Sequence, residues 1–274
     1  MLIGSYSKYL LKKTQAKSRM FEYDVPLEEH IVVEEEAIKL LLIAIGSLNE
    51  VSSAVIKSDE VGQLMIDQKL LSDLHFSATF FDSLITSTID PSGDYNYFYL
   101  LGAASYYFCD YVGSSRVMLS FVDEQINVGG GGFEKGVYQI LTGSYQFDGI
   151  EPLTQFFERE IWLMVKEYFD FFKTGIFPDF KRNLQLYEKV LMEGTNRESF
   201  LCGIMIKKKK KKTLNSALNL LPKYSLVPIE TWKSKILDNN KLAEIWPSQR
   251  KLGEFGFFQG NSGVIQMPIS SGKT

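Results

Sequence analysis

The chain has 274 residues, of which 30 are basic and 33 acidic, with two histidines and a formal net charge of −3. Apolar residues make up 45% and aromatics 14%, which supports a substantial core and excludes a wholly disordered polypeptide. The charge balance excludes a histone-like protein. The two cysteines, Cys109 and Cys202, cannot build a disulfide framework and point to a reducing compartment.

Residues 1–20 contain Lys8, Lys12, Lys13, Lys17 and Arg19 and no acid. A secretory signal needs a continuous apolar core of roughly 7–15 residues, and Ser5, Ser7, Lys8 and Lys12 interrupt this one. The longest apolar run, Leu40 to Ile45, is far short of the ~20 residues of a bilayer span. No membrane association and a cytoplasmic location are the simplest expectations. From Glu34 to Ile56, Ile38, Leu41, Leu42, Ile45, Leu48 and Val55 recur with the period of an amphipathic helix. Glu34, Glu35 and Glu36 point about 100° apart on such a helix, so they cannot converge on one ion and read as its solvated start.

A second helix is expected over 59–89, with a break near His75, before the turn cluster Pro91-Ser92-Gly93-Asp94. His75 has only Asp73 at ligand spacing and reads as a core or surface histidine. Tyr95 to Tyr111 and Arg116 to Ile126 read as a helical hairpin. Its small residues Gly102, Ala103, Ala104 and Ser105 allow close helix approach. Cys109, among Tyr107, Phe108 and Tyr111, reads as a small hydrophobe rather than a nucleophile. Gly129 to Gly132 read as a flexible loop, since no strand-turn-helix context makes them a phosphate cradle.

Glu151 to Lys173 forms an aromatic-rich helix stopped by Gly175 and Pro178, and shorter helices are expected at 179–193, 197–206 and 213–221. Between the last two lie six consecutive lysines, Lys207 to Lys212; without them 24 basic residues face 33 acids, a net charge of −9. The run reads either as a solvated loop held open by its own repulsion or as a contact to a phosphate backbone. The lack of interleaved aromatic platforms favours the loop.

Pro222 and Pro228 flank a linker. Beyond it, Thr231 to Leu242 reads as helix and Trp246-Pro247-Ser248-Gln249 opens a segment through Phe258. Gly260-Asn261-Ser262-Gly263 is a turn. Gly263 to Met267 is an apolar segment of strand length, followed by Pro268-Ile269-Ser270-Ser271-Gly272-Lys273-Thr274. A loop leaving a buried strand can aim backbone N–H groups at a triphosphate. In such a loop the lysine of Gly-Lys-Thr neutralises the β and γ oxygens, and the threonine hydroxyl ligates magnesium. Gly272, Lys273 and Thr274 are the candidates for these roles, with Val264-Ile265 as the buried strand. Gln249 lies 23 residues before Gly272.

Val-Ile-Gln-Met followed by Pro-Ile-Ser-Ser-Gly-Lys-Thr resembles motif I of superfamily 2 (DEAD/DEAH-type) helicases, especially the Ski2-like branch. The preceding Trp-Pro-Ser-Gln resembles the segment in which such helicases place an adenine-reading glutamine. The resemblance covers about thirty residues and implies ATP as nucleotide and Mg2+ as its ion. It makes Ser270, Ser271, Gly272, Lys273 and Thr274 the phosphate loop, Lys273 the catalytic residue and Thr274 the metal ligand. It makes Gln249 the base reader, while Trp232 stands about where some relatives carry a stacking aromatic. Ile269 departs from the usual threonine, and Met267 from the usual leading glycine.

The implied Asp-Glu box, second RecA-like lobe and arginine finger do not follow within these 274 residues. The chain is therefore expected to be the N-terminal part of a longer helicase, inactive by itself. The long helical region ahead of the motor also resembles helicase subunits of bacterial antiphage defence systems of the Hachiman type. That likeness implies nucleic acid, DNA rather than RNA, and a nuclease or other defence subunit as partners.

The expected fold is thus mainly α. An all-helical accessory domain over 1–222 precedes the first strand and truncated P-loop of a RecA-like α/β domain over 223–274. The alternative is a helical protein–protein interaction module with no enzymatic activity.

Overall fold

The computed structural model describes residues 5–33, 36–53, 68–86, 94–122, 132–143, 157–237 and 244–266. Among the described residues the protein is built from α-helices with no β-sheet, and it divides into two compact units, residues 1–127 and 128–274. The mainly helical expectation holds. Residue 222 falls inside a helix of the second unit. No described helix is long and apolar enough to cross a membrane.

The first unit contains α1 (Ser5–Glu22), α2 (Glu36–Ser53), α3 (Gln68–Thr86), α4 (Tyr95–Phe108) and α5 (Val112–Ser120). Helix α3 packs against α1, α2 and α4, and α5 packs on α4. Every residue of α4 from Leu100 to Phe108 is buried, as expected of a helix that is apolar on all sides. Gly102 lets α4 sit tightly between its neighbours: a Cβ there would lie 2.4 Å from Met118 Cε and 3.1 Å from Phe81 Cβ. The Ser115 hydroxyl donates to the Ala103 carbonyl at 2.7 Å, and the Tyr106 hydroxyl donates to the Asp82 carboxylate at 3.1 Å. The expected hairpin is present, with its second helix over Val112–Ser120 rather than from Arg116 onward.

Helix α3 runs through His75 without the expected break. Leu74 and Phe76 are buried while His75 is exposed beside the Tyr111 ring, so a polar residue falls on the solvent face of an unbroken helix. Cys109 is half-buried, its thiol donating to the Leu71 carbonyl at 3.6 Å. Glu34, Glu35, Pro91 to Gly93 and Gly129 to Gly131 lie outside the described residues.

The second unit contains α6 (Phe133–Thr142), α7 (Glu158–Thr174), α8 (Phe180–Glu193), α9 (Asn196–Leu214), α10 (Ala217–Ser225), α11 (Ile229–Leu237) and α12 (Pro247–Glu254). Helix α7 stops where expected, at Gly175 with φ +73°. Asp179 caps α8 by accepting from the Lys181 and Arg182 amides. Thr195 and Glu198 form a reciprocal capping box that starts α9.

Helix α9 is the hub, packed against α6, α7, α8 and α10. Gly136 brings the α6 backbone onto it; a Cβ there would lie 2.6 Å from Met205 Sδ and 3.0 Å from Ile161 Cγ2. The two short helices and the lysine loop expected over 197–221 are corrected by this arrangement. Asn196–Leu214 is one continuous helix of 19 residues, and the lysine run lies inside it. Lysine is a good helix former, so nothing local interrupts the helix that Thr195 begins.

Candidate functional site

The C-terminal segment carries the described part of the candidate nucleotide site. It docks at the far end of α9. Glu244 pairs with Ser216 in an isolated antiparallel bridge, the Ile245 amide donates to the Asn215 carbonyl at 2.9 Å, and the Glu244 carboxylate lies 3.9 Å from Lys212 Nζ. Pro247 occupies the first turn of α12, where its missing N–H is harmless. Gly253 brings α12 against α10, since a Cβ there would lie 2.3 Å from Tyr224 Cδ2. Burial and the nearby Glu254 carboxylate hold the Tyr224 hydroxyl above its usual pKa.

Gln249 sits in the first turn of α12, and its Oε1 accepts the Trp246 amide proton at 2.9 Å. That is the return half of a capping box, so the carbonyl of the candidate base reader is engaged while its Nε2 carries the donors. Trp232, on α11, donates from Nε1 to the Ser225 hydroxyl at 3.0 Å. Residues 261–266 are irregular, with Val264 101% and Ile265 49% exposed, so the buried strand expected there is corrected: both side chains face solvent. Ser270, Ser271, Gly272, Lys273 and Thr274 lie outside the described residues, as does Met267. Among the described residues no group of three or more His, Cys, Asp or Glu side chains is placed to hold a metal. Thr274 is the magnesium ligand that the motif itself would supply.

The lysine run forms the second polar cluster. Lys207, Lys208, Lys209 and Lys212 are buried in the hub, and specific partners meet the amines of Lys209 and Lys212. Lys209 Nζ donates to Glu167 Oε2 at 2.8 Å and to Asn183 Oδ1 at 3.4 Å, and Lys212 Nζ donates to the Leu141 carbonyl at 2.8 Å. Glu167 also lies 3.5 Å from Arg182, so α7, α8 and α9 meet at one ionic centre. Burial pushes Lys209 down to about 8 against the opposing pull of Glu167, and burial with Lys210 nearby pushes Lys207 down to about 8. Lys208 is held well below its usual value by burial and by Lys212 and Lys211. Both expectations for the run, a solvated loop and a phosphate contact, fail for these four residues because their amines point inward. The capping box ahead of them was the sequence signal for the continuous helix.

No protein-family model, curated protein or solved structure matches this chain.

Proposed function

We propose that this chain is part of an ATP-driven nucleic-acid helicase or translocase of the superfamily 2 type. Its helical units serve as accessory scaffold, and residues 246–274 form the front edge of the nucleotide site. The supporting observation is the order and spacing of Trp246-Pro247-Ser248-Gln249 and Gly272-Lys273-Thr274, with Gln249 fixed in the first turn of a helix anchored to the hub. In this reading Lys273 neutralises the β and γ phosphates, Thr274 meets the magnesium ion, and Ser270, Ser271 and Gly272 allow the backbone to approach. Gln249 reads the adenine edge by turning its amide from the Trp246 cap. A role in antiphage defence, with a nuclease partner and DNA as track, belongs to the same reading.

The test uses the full-length product of the gene that carries this segment. Lys273→Ala should abolish ATP hydrolysis while leaving the circular dichroism unchanged. Gln249→Glu keeps an oxygen for the cap but loses the amide donors, so it should raise KM for ATP and leave GTP turnover unaltered. Wild-type hydrolysis by Lys273→Ala would refute the reading. A second reading, a helical interaction module, is favoured by the exposure of Val264 and Ile265 and by the engaged Gln249 carbonyl. It gains if the full-length product hydrolyses no nucleotide.

A further inference from the structure

Helix α1 presents a charged aromatic face. Leu10, Thr14 and Ser18 are buried on one side, where α1 packs against α2 and α3. Tyr6, Lys8, Tyr9, Lys12 and Arg19 are exposed on the other. The first 21 residues carry five positive charges and no negative one, in a chain whose formal net charge is −3. The Tyr6 and Tyr9 rings stack with centroids 6.4 Å apart at 29°, and Lys13 Nζ lies 5.1 Å from the Tyr9 centroid. Lys8 and Lys12 are one turn apart, about 6 Å along the axis. Glu22, the last residue of α1, repels Asp82.

We propose that this face of α1 binds single-stranded nucleic acid, with Lys8, Lys12 and Arg19 on successive phosphates and Tyr6 and Tyr9 stacked on bases. Cations supply the sequence-independent, salt-sensitive attraction, and the paired rings supply platforms that any base can use. An anionic lipid surface fits less well. The side of α1 that would enter a bilayer is already packed against α2 and α3, and the free side mixes ammonium groups with the rings. The inference goes beyond the nucleotide-site reading, because capture on α1 requires no triphosphate loop.

The test measures fluorescence anisotropy of a labelled oligothymidine of about 20 nucleotides against the 274-residue chain across a salt series. The logarithm of the wild-type affinity should fall linearly with the logarithm of salt concentration. Replacing Lys8, Lys12 and Arg19 by glutamine together should reduce the slope by about 2, at roughly 0.7 per phosphate on a single strand. Tyr6→Ala with Tyr9→Ala should weaken binding by roughly 5- to 150-fold per stacked base with the slope unchanged. Lys273→Ala should leave both affinity and slope as in the wild type, which separates this result from failure of the nucleotide reading. All the altered side chains on α1 are exposed, and circular dichroism verifies that the fold persists. Absence of wild-type binding, an unaltered slope in the charge variant, or tighter capture by phosphatidylserine vesicles than by the oligonucleotide would overturn the proposal.

Discussion

Lys209→Met probes the ionic centre of the second unit through its pH dependence. Methionine keeps most of the buried stem and removes the amine that meets Glu167 and Asn183. Glu167 retains Arg182 at 3.5 Å, while Asn183 Oδ1 loses its donor. Stability at neutral pH therefore mixes a gain, the relief of burying an ammonium group, with the loss of a hydrogen-bonded ion pair. The pH slope isolates the lysine. Its pKa falls from the ordinary 10.5 to about 8 on folding, so between these values the unfolded chain binds more protons than the folded one. Stability must then rise as pH climbs through that window, and fall toward neutrality, where both states are charged. At about 1.4 kcal/mol per pKa unit the whole window is worth roughly 3 kcal/mol, of which about 1 kcal/mol accrues between pH 7 and 9.

Trp162, Trp232 and Trp246 all lie in the second unit, so tryptophan fluorescence in urea reports this unit alone. Lys207 contributes the same upward slope in wild type and variant. Cys202 contributes the opposite one: burial raises its thiol pKa, so above the ordinary 9.0 the unfolded thiol ionises first and stability drops. Both cancel in the difference between the two proteins. The wild type should gain about 1 kcal/mol more than Lys209→Met between pH 7 and 9. Parallel curves would refute the assignment of a buried, depressed lysine at this position.

Two further outcomes follow from the same packing. Lys208→Met should leave the stability of the second unit at pH 7 unchanged or raised, because it removes a fully buried amine whose charged form burial disfavours; a loss beyond about 1 kcal/mol in urea unfolding would contradict this. Gly253→Ala should cost about 1–3 kcal/mol by driving a methyl group into the Tyr224 ring, and should make residues 244–266 the first site of limited proteolysis. Wild-type proteolysis of that variant would show that α12 does not depend on close approach to α10.

Much of the helical scaffold is legible because its signals are local. The periodic leucines of α2, the small residues of α4 and the Gly175 stop of α7 each act within a few residues of where they stand. A polar residue such as His75 does not by itself end a helix. In α3 it occupies a solvent-facing position of a period that continues through it. The candidate site is legible only as wording. Gln249 is where the motif puts it, yet its carbonyl serves the cap of its own helix, which residue order does not reveal. Val264 and Ile265 look like a buried strand by composition, but an apolar segment is buried only when a surface is available to receive it, and here they meet solvent.

The lysine run carries the physical lesson furthest. Charge repulsion argues for an extended solvated loop only if the amines have no better counter-charge than water and no reason to leave it. Here the reason lies upstream and the counter-charge lies far off in sequence. Thr195 and Glu198 start a helix whose apolar stretch from Phe200 to Ile206 makes it the hub, and the lysines follow as its continuation. Once there, Lys209 is obliged to find Glu167 on α7, and Lys212 to find the Leu141 carbonyl on α6 and the carboxylate of Glu244. That last contact ties the end of the hub to the strand-like start of the segment bearing Trp246 and Gln249. The run that offered a phosphate contact thus turns inward, and through Lys212 it meets the start of the segment bearing Gln249. On α1, by contrast, the cations Lys8 and Lys12 are exposed beside the paired rings of Tyr6 and Tyr9.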